Sequence, residues 1–236
     1  GEAELNMRMH KAISVIQFKV EGQLIRRYPE FGLESRMLLH HIDFERGVLE
    51  LEGKEYPMLD CNFPTVDPAD PYRLSDQEQE IMDRLERAFC NCEKLQQHMR
   101  FLLAKGSLYK VYNGNLLYHG CIPLNEDGTF RDVKLFVRTY CCKELYDVLV
   151  SCVWDVCLAK DEAERERGRD TMWYIWLHEN SPLFGKDKMA TFERYFLSDQ
   201  ETHRERKNPY YRLLEDEQVA DRILAEFGLP SQGSHI

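Results

Sequence analysis

The sequence predicts an α/β or α+β fold. Along its 236 residues, stretches whose apolar residues recur at helical spacing are interspersed with short apolar runs bounded by turn residues. We find no internal repeat, low-complexity tract or flexible linker. A helical and hairpin region over residues 1–106, followed by a second region over residues 107–236, is one organisation that fits. One continuous domain is the alternative.

Four segments are predicted to be helices because their apolar residues recur at helical spacing. They are residues 7–23, 75–102, 139–159 and 215–227. Ser75 and Glu78, three residues apart, match a capping box at the start of the second helix. Glycine is a common C-terminal stop, so Gly22 is expected to end the first helix and Gly228 the last.

Shorter runs are strand-like in composition. They comprise residues 47–58, predicted as one hairpin, residues 107–112 and 115–118, predicted as another, and residues 173–177. Asn113 and Gly114 suit the tight turn of the second hairpin. Residues 61–73 hold three prolines and are expected to form an ordered turn region. Residues 160–170 are almost entirely charged, which is typical of a solvated helical face or an exposed loop.

The charge balance and hydropathy exclude several classes of partner. A net charge of -10 and a pI near 5.4 argue against a broad surface for nucleic acid or anionic membrane. No run approaches the roughly 18 apolar residues that would span a bilayer, and the N-terminal residues lack the features of a signal peptide. We therefore expect a cytoplasmic protein without nucleic-acid or membrane partners, in which a phosphate ligand would need locally concentrated cations or bound metal.

The eight cysteines are irregularly spaced, and no CxxC pair occurs. Cys152 and Cys157 lie in a strongly apolar segment, where cysteine usually acts as a small buried hydrophobe. Reduced structural thiols are therefore expected, with a zinc site or disulfides as the alternatives.

The segment most informative about function is residues 115–130, NLLYHGCIPLNEDGTF. An apolar strand there delivers His119 and Gly120 to its carboxyl end, the position where open α/β sheets bind ligands. Imidazole is a good ligand for divalent transition metals, and glycine leaves space for metal or phosphate close to the backbone. His119 is therefore a candidate metal ligand, and a structural or incidental histidine is the competing interpretation.

Three cationic residues are candidates for binding phosphate. Lys186, Lys188 and Arg194 lie in the segment GKDKMATFER. A glycine beside two lysines suits close approach to an anion, and arginine can bind phosphate through paired donors. Lys105 and Arg138 are weaker candidates. Exposed lysines and ion-paired arginines are common on protein surfaces, so a purely structural role is the alternative.

The remaining histidine clusters are less suggestive of a site. His178 is followed by Glu179 and Asn180, but neighbouring residues on a strand point to opposite faces, so a structural histidine at a strand end is expected. His40 and His41 are also neighbours in sequence, so their side chains are likewise expected to point in opposite directions and not to form a site.

Longer motifs resemble a known enzyme family. The strand-His-Gly pattern, with Pro123 shortly after, is similar to the histidine motif of calcineurin-like metallophosphoesterases. Four stretches resemble class III bacterial fructose-1,6-bisphosphatase specifically, and together with the regions between them they cover nearly the entire chain. They are KAISVIQFKVEGQ at 11–23, FPTVDPADPY at 63–72, EKLQQHMRFLLAKGSLYKVYNGNLLYHGCIPLNEDG at 93–128 and SPLFGKDKMATFERYF at 181–196.

This resemblance implies a fold and a chemistry. The fold would be a partial calcineurin-like metallophosphatase sandwich with additional helices, and residues 107–236 would be the partial metallophosphatase domain. The activity would be hydrolysis of fructose 1,6-bisphosphate to fructose 6-phosphate and phosphate by water activated at a two-metal, manganese-dependent site. His119 matches a metal-ligand histidine of that family, and a sugar bisphosphate would be the substrate.

The chain departs from the family pattern in its ligand set. Motifs of the kinds GDxxDRG and GNHD, expected before residue 7, are absent, and an Asn-Gly-His motif is expected just after Ile236. His235 aligns beside that motif and is expected not to be a ligand. We therefore expect an interior or C-terminal fragment that is inactive alone. A non-catalytic assembly module, using its helices to contact partner subunits or to form a homo-oligomer, is the alternative.

Overall fold

The computed structural model describes residues 1–236 apart from the side chain of Cys157. It is 51% helical and 14% strand, and its paired strands form three small antiparallel sheets. The predicted mixed class, α/β or α+β, is confirmed. A metallophosphatase sandwich assembled from such sheets stays a prediction. None of the described helices is long and apolar enough to span a bilayer.

Eight α-helices and seven strands are described, together with four short 3-10 helices at Pro29–Phe31, Glu34–Arg36, Leu38–His41 and Gln200–His203. The helices are α1 (Glu2–Arg27), α2 (Asp76–Cys90), α3 (Glu93–Lys105), α4 (Cys142–Leu158), α5 (Glu162–Leu177), α6 (Thr191–Phe196), α7 (Tyr210–Leu213) and α8 (Glu217–Glu226). The strands are β1 (Ile42–Asp43), β2 (Val48–Leu51), β3 (Lys54–Pro57), β4 (Tyr109–Tyr112), β5 (Asn115–Tyr118), β6 (Val133–Leu135) and β7 (Arg138–Tyr140). Strands β1 to β3 form one sheet, and the other four pair as two hairpins.

The chain divides into two compact units. The first unit contains Gly1–Gln97 and Ala190–His203, and the second contains His98–Met189 and Arg204–Ile236. Each unit is therefore assembled from two separate stretches of sequence. The domain division at residues 106 and 107 that the sequence suggests stays a prediction.

A buried ion pair joins α1 to the start of α2 in the first unit. The ammonium of Lys19, fully buried, lies 2.7 Å from the Glu78 carboxylate and donates to the carbonyl oxygen of Thr65. Glu78 also accepts hydrogen bonds from the Thr65 hydroxyl and the Ser75 amide, which confirms the predicted capping box. Burial alone would raise the pKa of Glu78, but these donors outweigh it and the net shift is downward.

Removing one member of this pair should destabilise the first unit strongly. We expect Lys19→Met to lower the free energy of unfolding by about 3–5 kcal/mol, because it leaves the Glu78 carboxylate buried without a counter-charge. Lys54→Met is the matched control, since Lys54 pairs with Asp199 at 3.9 Å on the surface and should cost about 1 kcal/mol or less. Urea denaturation followed by circular dichroism measures both. Equal losses in the two variants would contradict the prediction.

Tyr72 is a second residue that links distant parts of the first unit. Its ring lies against α1 at Gly22, where an added Cβ would come within 2.1 Å of a ring carbon. Its hydroxyl lies 3.0 Å from Nδ1 of His40. Burial, then the neighbouring charges of His41 and Arg26, lower the pKa of His40 below 6.5. The turn region that ends at Tyr72 is therefore held by both a helix and a histidine.

This lowered pKa predicts a pH dependence of stability. Because the unfolded chain binds the His40 proton more readily than the folded chain does, the free energy of unfolding should fall as the pH drops below about 6.5. We expect His40→Gln to flatten the stability profile between about pH 7.5 and pH 5.5. His98→Gln, at an exposed position on α3, is the control. A profile for His40→Gln parallel to that of the unmodified chain would refute this assignment.

The core of the second unit is rich in tyrosine and aliphatic side chains. Ile122, Leu124 and Tyr146 are fully buried in a cluster to which α4 and α8 both contribute. Helices α4 and α5 pack closely, and a Cβ on Gly168 of α5 would lie 2.8 Å from the carbonyl oxygen of Cys152 on α4. The absence of a side chain at Gly168 therefore allows this close helix contact.

Several predicted boundaries are wrong, each for a local reason. Helix α1 continues past Gly22 to Arg27, and the glycine leaves room for the Tyr72 ring within the helix instead of ending it. The helix predicted over residues 75–102 is two helices, which are separated at residues 91–92. The one predicted from residue 139 begins at Cys142, since the preceding residues form β7.

The strand-like segment over residues 173–177 is the end of α5, because the charged residues before it continue the same helix. The remaining predictions of regular structure are confirmed. Both hairpins form, the second around Asn113 and Gly114 with positive φ angles, and α8 ends before Gly228, whose φ is 74°. Residues 61–73 form turns without a helix or a named strand.

Candidate functional site

Strand β5 leads directly to His119. The strand pairs with β4 on one edge, and on its other edge the chain end adds a parallel bridge between Asn115 and His235. The amide of His235 donates to the Gly114 carbonyl over 3.0 Å, and the amide of Leu116 donates to the His235 carbonyl over 2.8 Å. His119 therefore follows a strand that is supported on both sides near its start.

The sheet itself is not the kind that the sequence suggested. Strand β5 belongs to an antiparallel hairpin, so the rule that open parallel sheets bind ligands at their carboxyl ends does not apply to it. The prediction of a site at this position therefore rests on His119 and its surroundings.

The turn after β5 is packed against a distant loop of the same unit. Gly120 has a φ of 94°, and an added Cβ would lie 2.0 Å from the carbonyl oxygen of Pro182. The next amide, that of Cys121, donates to the same carbonyl over 2.7 Å. Glycine is thus required here both by its φ angle and by the close approach of another backbone segment.

Buried hydrogen bonds hold the residues on both sides of this turn. Tyr146 donates its hydroxyl hydrogen to the Cys121 carbonyl over 3.0 Å, and the hydroxyls of Tyr118 and Tyr210 lie 2.6 Å apart. Burial first, and then the hydrogen bond to Tyr210, raises the pKa of Tyr118. The phenol is therefore neutral near pH 7. Neutral tyrosine hydroxyl groups therefore hold the residues on both sides of the His119 turn.

The imidazole of His119 is exposed. It makes no hydrogen bond or ion pair within the part of the chain that the structure describes. Burial raises the pKa of the nearby Cys121 thiol to about 12, so this cysteine is protonated near neutral pH and is not a thiolate nucleophile. His119 is thus an available nitrogen donor on a rigid turn.

The described residues do not form a metal site by themselves. Among them, no group of three or more histidine, cysteine, aspartate or glutamate side chains is placed to hold a metal ion. His119 could supply one ligand, whereas a two-metal centre needs several. The ligand side chains that the structure describes therefore do not fit a complete manganese centre.

The loop that contacts Gly120 also carries two of the predicted phosphate-binding residues. Lys186 and Lys188 lie on it, both partly buried. Lys186 forms an ion pair of 2.9 Å with Glu205. Arg194 lies in the first unit, on α6, where it donates to the carbonyl of His203 over 3.5 Å. The structure therefore brings the two lysines onto one loop, and a joint role with Arg194 stays a prediction.

Sequence reasoning missed residues 207–211, which border this loop. Asn208 is buried, its amide donates to the Gly185 carbonyl over 2.9 Å, and its side-chain oxygen accepts from the amides of Leu124 and Tyr210. Asn208 thus ties the segment after His119 to the lysine loop. The only signal in the sequence was the order Asn-Pro-Tyr-Tyr, which carries no recognisable chemistry.

The other histidines have structural environments. His178 follows the last residue of α5 and is buried, with its ring stacked on Tyr174 at 4.1 Å and its Nδ1 accepting from the Asn180 amide. The predicted strand end is therefore a helix end. The side chain of His235 is exposed, while its backbone pairs with β5.

Comparison with known proteins defines the family. The sequence model of the Firmicute fructose-1,6-bisphosphatase family matches residues 1–236. The chain therefore belongs to this family of fructose-1,6-bisphosphatases.

Curated relatives carry the name fructose-1,6-bisphosphatase class 3. Those of Bacteroides fragilis (strain ATCC 25285) and Clostridium acetobutylicum are 51% and 50% identical, over 97% and 100% of this chain. The protein of Listeria innocua is 48% identical over 97% of the chain. The chain spans only 35% to 36% of the length of these relatives. No solved structure gives a significant match.

The packing of the turn can be tested at Gly120. We expect Gly120→Ala to lower the free energy of unfolding by about 2–4 kcal/mol, through the positive φ and the collision with Pro182 together. Gly228→Ala is the control, since Gly228 has a φ of 74° with no atom within 4 Å of an added Cβ. It should cost about 1–2 kcal/mol. Thermal unfolding followed by circular dichroism distinguishes the two. Equal losses would show that the backbone at Pro182 moves readily to accommodate the added methyl group.

Proposed function

We propose that the complete protein containing this chain hydrolyses fructose 1,6-bisphosphate to fructose 6-phosphate and phosphate. The observation that carries this proposal is the identity of about half of all residues, over essentially the whole chain, to proteins named fructose-1,6-bisphosphatase class 3. The reaction would belong to cytoplasmic carbohydrate metabolism. Its substrate would be a small sugar bisphosphate.

His119 is proposed as one ligand of a manganese centre. Support comes from its exposure, from the rigid turn that carries it and from the match to the family histidine motif. The described residues hold no group of three or more ligand side chains, so His119 is proposed only as one contributor to a site of the complete protein. Attack by a metal-activated water is proposed for the complete protein, and this chain alone is expected to be inactive.

Lys186, Lys188 and Arg194 are proposed as substrate-binding residues. The support is strongest for the two lysines, whose loop packs directly on the turn that carries His119. A cation on that loop would be close to a phosphate group that reaches the metal centre.

A second candidate function is a non-catalytic assembly module. The observation that favours it is an apolar stripe on α2, where Ile81, Leu85 and Phe89 are between 37% and 60% exposed. Isolated exposed apolar residues are ordinary, but three at helical spacing form a surface suited to another helix. A homo-oligomer is the proposed product of such contacts.

The enzymatic proposal predicts metal-dependent turnover. The complete protein with manganese should release phosphate from fructose 1,6-bisphosphate, and His119→Ala should lower kcat/KM at least about a hundredfold, because even residues that only support a ligand commonly matter by that factor. His98→Ala is the matched control, since His98 is also exposed in the second unit. A phosphate-release assay with manganese titration measures both variants.

Two outcomes would contradict the enzymatic proposal or the role of His119 in it. Unchanged turnover in His119→Ala would remove His119 from the mechanism. A complete protein that releases no phosphate with manganese, yet self-associates in light scattering, would favour the assembly module.

A further inference from the structure

Two segments of the second unit pair as a short antiparallel ladder beside the His119 turn. The amide of Asn208 donates to the Gly185 carbonyl and the amide of Asp187 donates to the Arg206 carbonyl, each over 2.9 Å. Between these bonds Lys186 lies directly opposite Lys207. Residues directly opposed across an antiparallel pair extend on the same face, with Cβ atoms about 5 Å apart.

The ladder concentrates positive charge in an acidic protein. Residues 185–188 and 204–207 include five basic and two acidic residues, which gives a local charge of +3, whereas the whole chain carries -10. The basic residues are Lys186, Lys188, Arg204, Arg206 and Lys207. Such a local excess is the feature that an anionic ligand would need on this chain.

Only one of the two opposed lysines has a carboxylate partner. Lys186 pairs with Glu205 at 2.9 Å. Lys207 is exposed, its ammonium lies 5.4 Å from the centre of the Tyr211 ring, and no carboxylate among the described side chains pairs with it. Like charges directly opposite each other are unfavourable. An anion between the two ammonium groups would remove that repulsion.

The scaffold under the two lysines is fixed. Gly185 has a φ of 63°, and an added Cβ would lie 2.7 Å from the Tyr211 hydroxyl oxygen. The ring beneath Lys207 therefore packs against the backbone residue that precedes Lys186. The two ammonium groups are thereby carried on a shared, rigid support.

We propose that Lys207 and Lys186 together bind a phosphate monoester group, with Glu205 as the counter-ion that the anion displaces. Lys207 extends the set of substrate-binding residues, and this assignment rests on the proposed phosphatase function for the identity of its ligand. A phosphate monoester dianion matches two ammonium groups in charge, and its three terminal oxygens can accept a hydrogen bond from each of them.

Binding can be measured on this chain without any catalysis. Isothermal titration with inorganic phosphate, and separately with fructose 1,6-bisphosphate, gives the affinities. We expect Lys207→Gln to weaken both about tenfold, since a hydrogen bond to a charged group is lost. The matched control is Lys110→Gln, because Lys110 is also exposed and lies 5.6 Å from the Tyr112 ring centre. It should leave both affinities unchanged.

A second variant tests the counter-ion. Glu205→Gln frees Lys186 and should tighten phosphate binding about twofold to fivefold, with circular dichroism used to verify the fold. Equal effects of Lys207→Gln and Lys110→Gln, or undetectable phosphate binding by the folded chain, would overturn the proposal. Binding that depends on Lys207, together with a complete protein that does not hydrolyse the bisphosphate, would retain this anion site and reject the proposed function.

Discussion

The contact between the Gly120–Cys121 turn and the Pro182 carbonyl is the constraint on which the candidate site depends. It allows two segments more than sixty residues apart to meet without a side chain between them. The exposed imidazole of His119 and the ammonium of Lys186 belong to those two segments. The relative position of the two segments is thus set by backbone geometry, and the surrounding tyrosines and Asn208 hold that geometry in place.

Much of the fold followed from local sequence signals. The capping box at Ser75, the Asn113-Gly114 turn and the stop at Gly228 each formed as predicted, because these signals act within a few residues. The failures arose where the wider context differed from the local signal. Gly22 lies inside α1, where its missing side chain leaves room for the Tyr72 ring, and residues 173–177 are helical as the continuation of α5.

The site was predictable only in part. A histidine and a glycine after a strand were visible in the sequence, and family resemblance gave them a chemical meaning. Lys207 and Asn208 were not visible. Lys207 is opposite a residue 21 positions earlier in the chain, and Asn208 bonds to the carbonyl of Gly185 and to the amides of Leu124 and Tyr210. A sequence shows which side chains carry charge, whereas only the fold shows which charges face each other.

The parallel bridge between Asn115 and His235 has a consequence for folding during synthesis. The two residues are 120 positions apart, so the ribosome must synthesise most of this chain before the bridge between them can form. Contacts between such distant residues form slowly because loop closure costs entropy. Strand β5 is therefore expected to be one of the last parts of this unit to complete its pairing. The imidazole of His119, which follows the strand, reaches its final surroundings at the same stage.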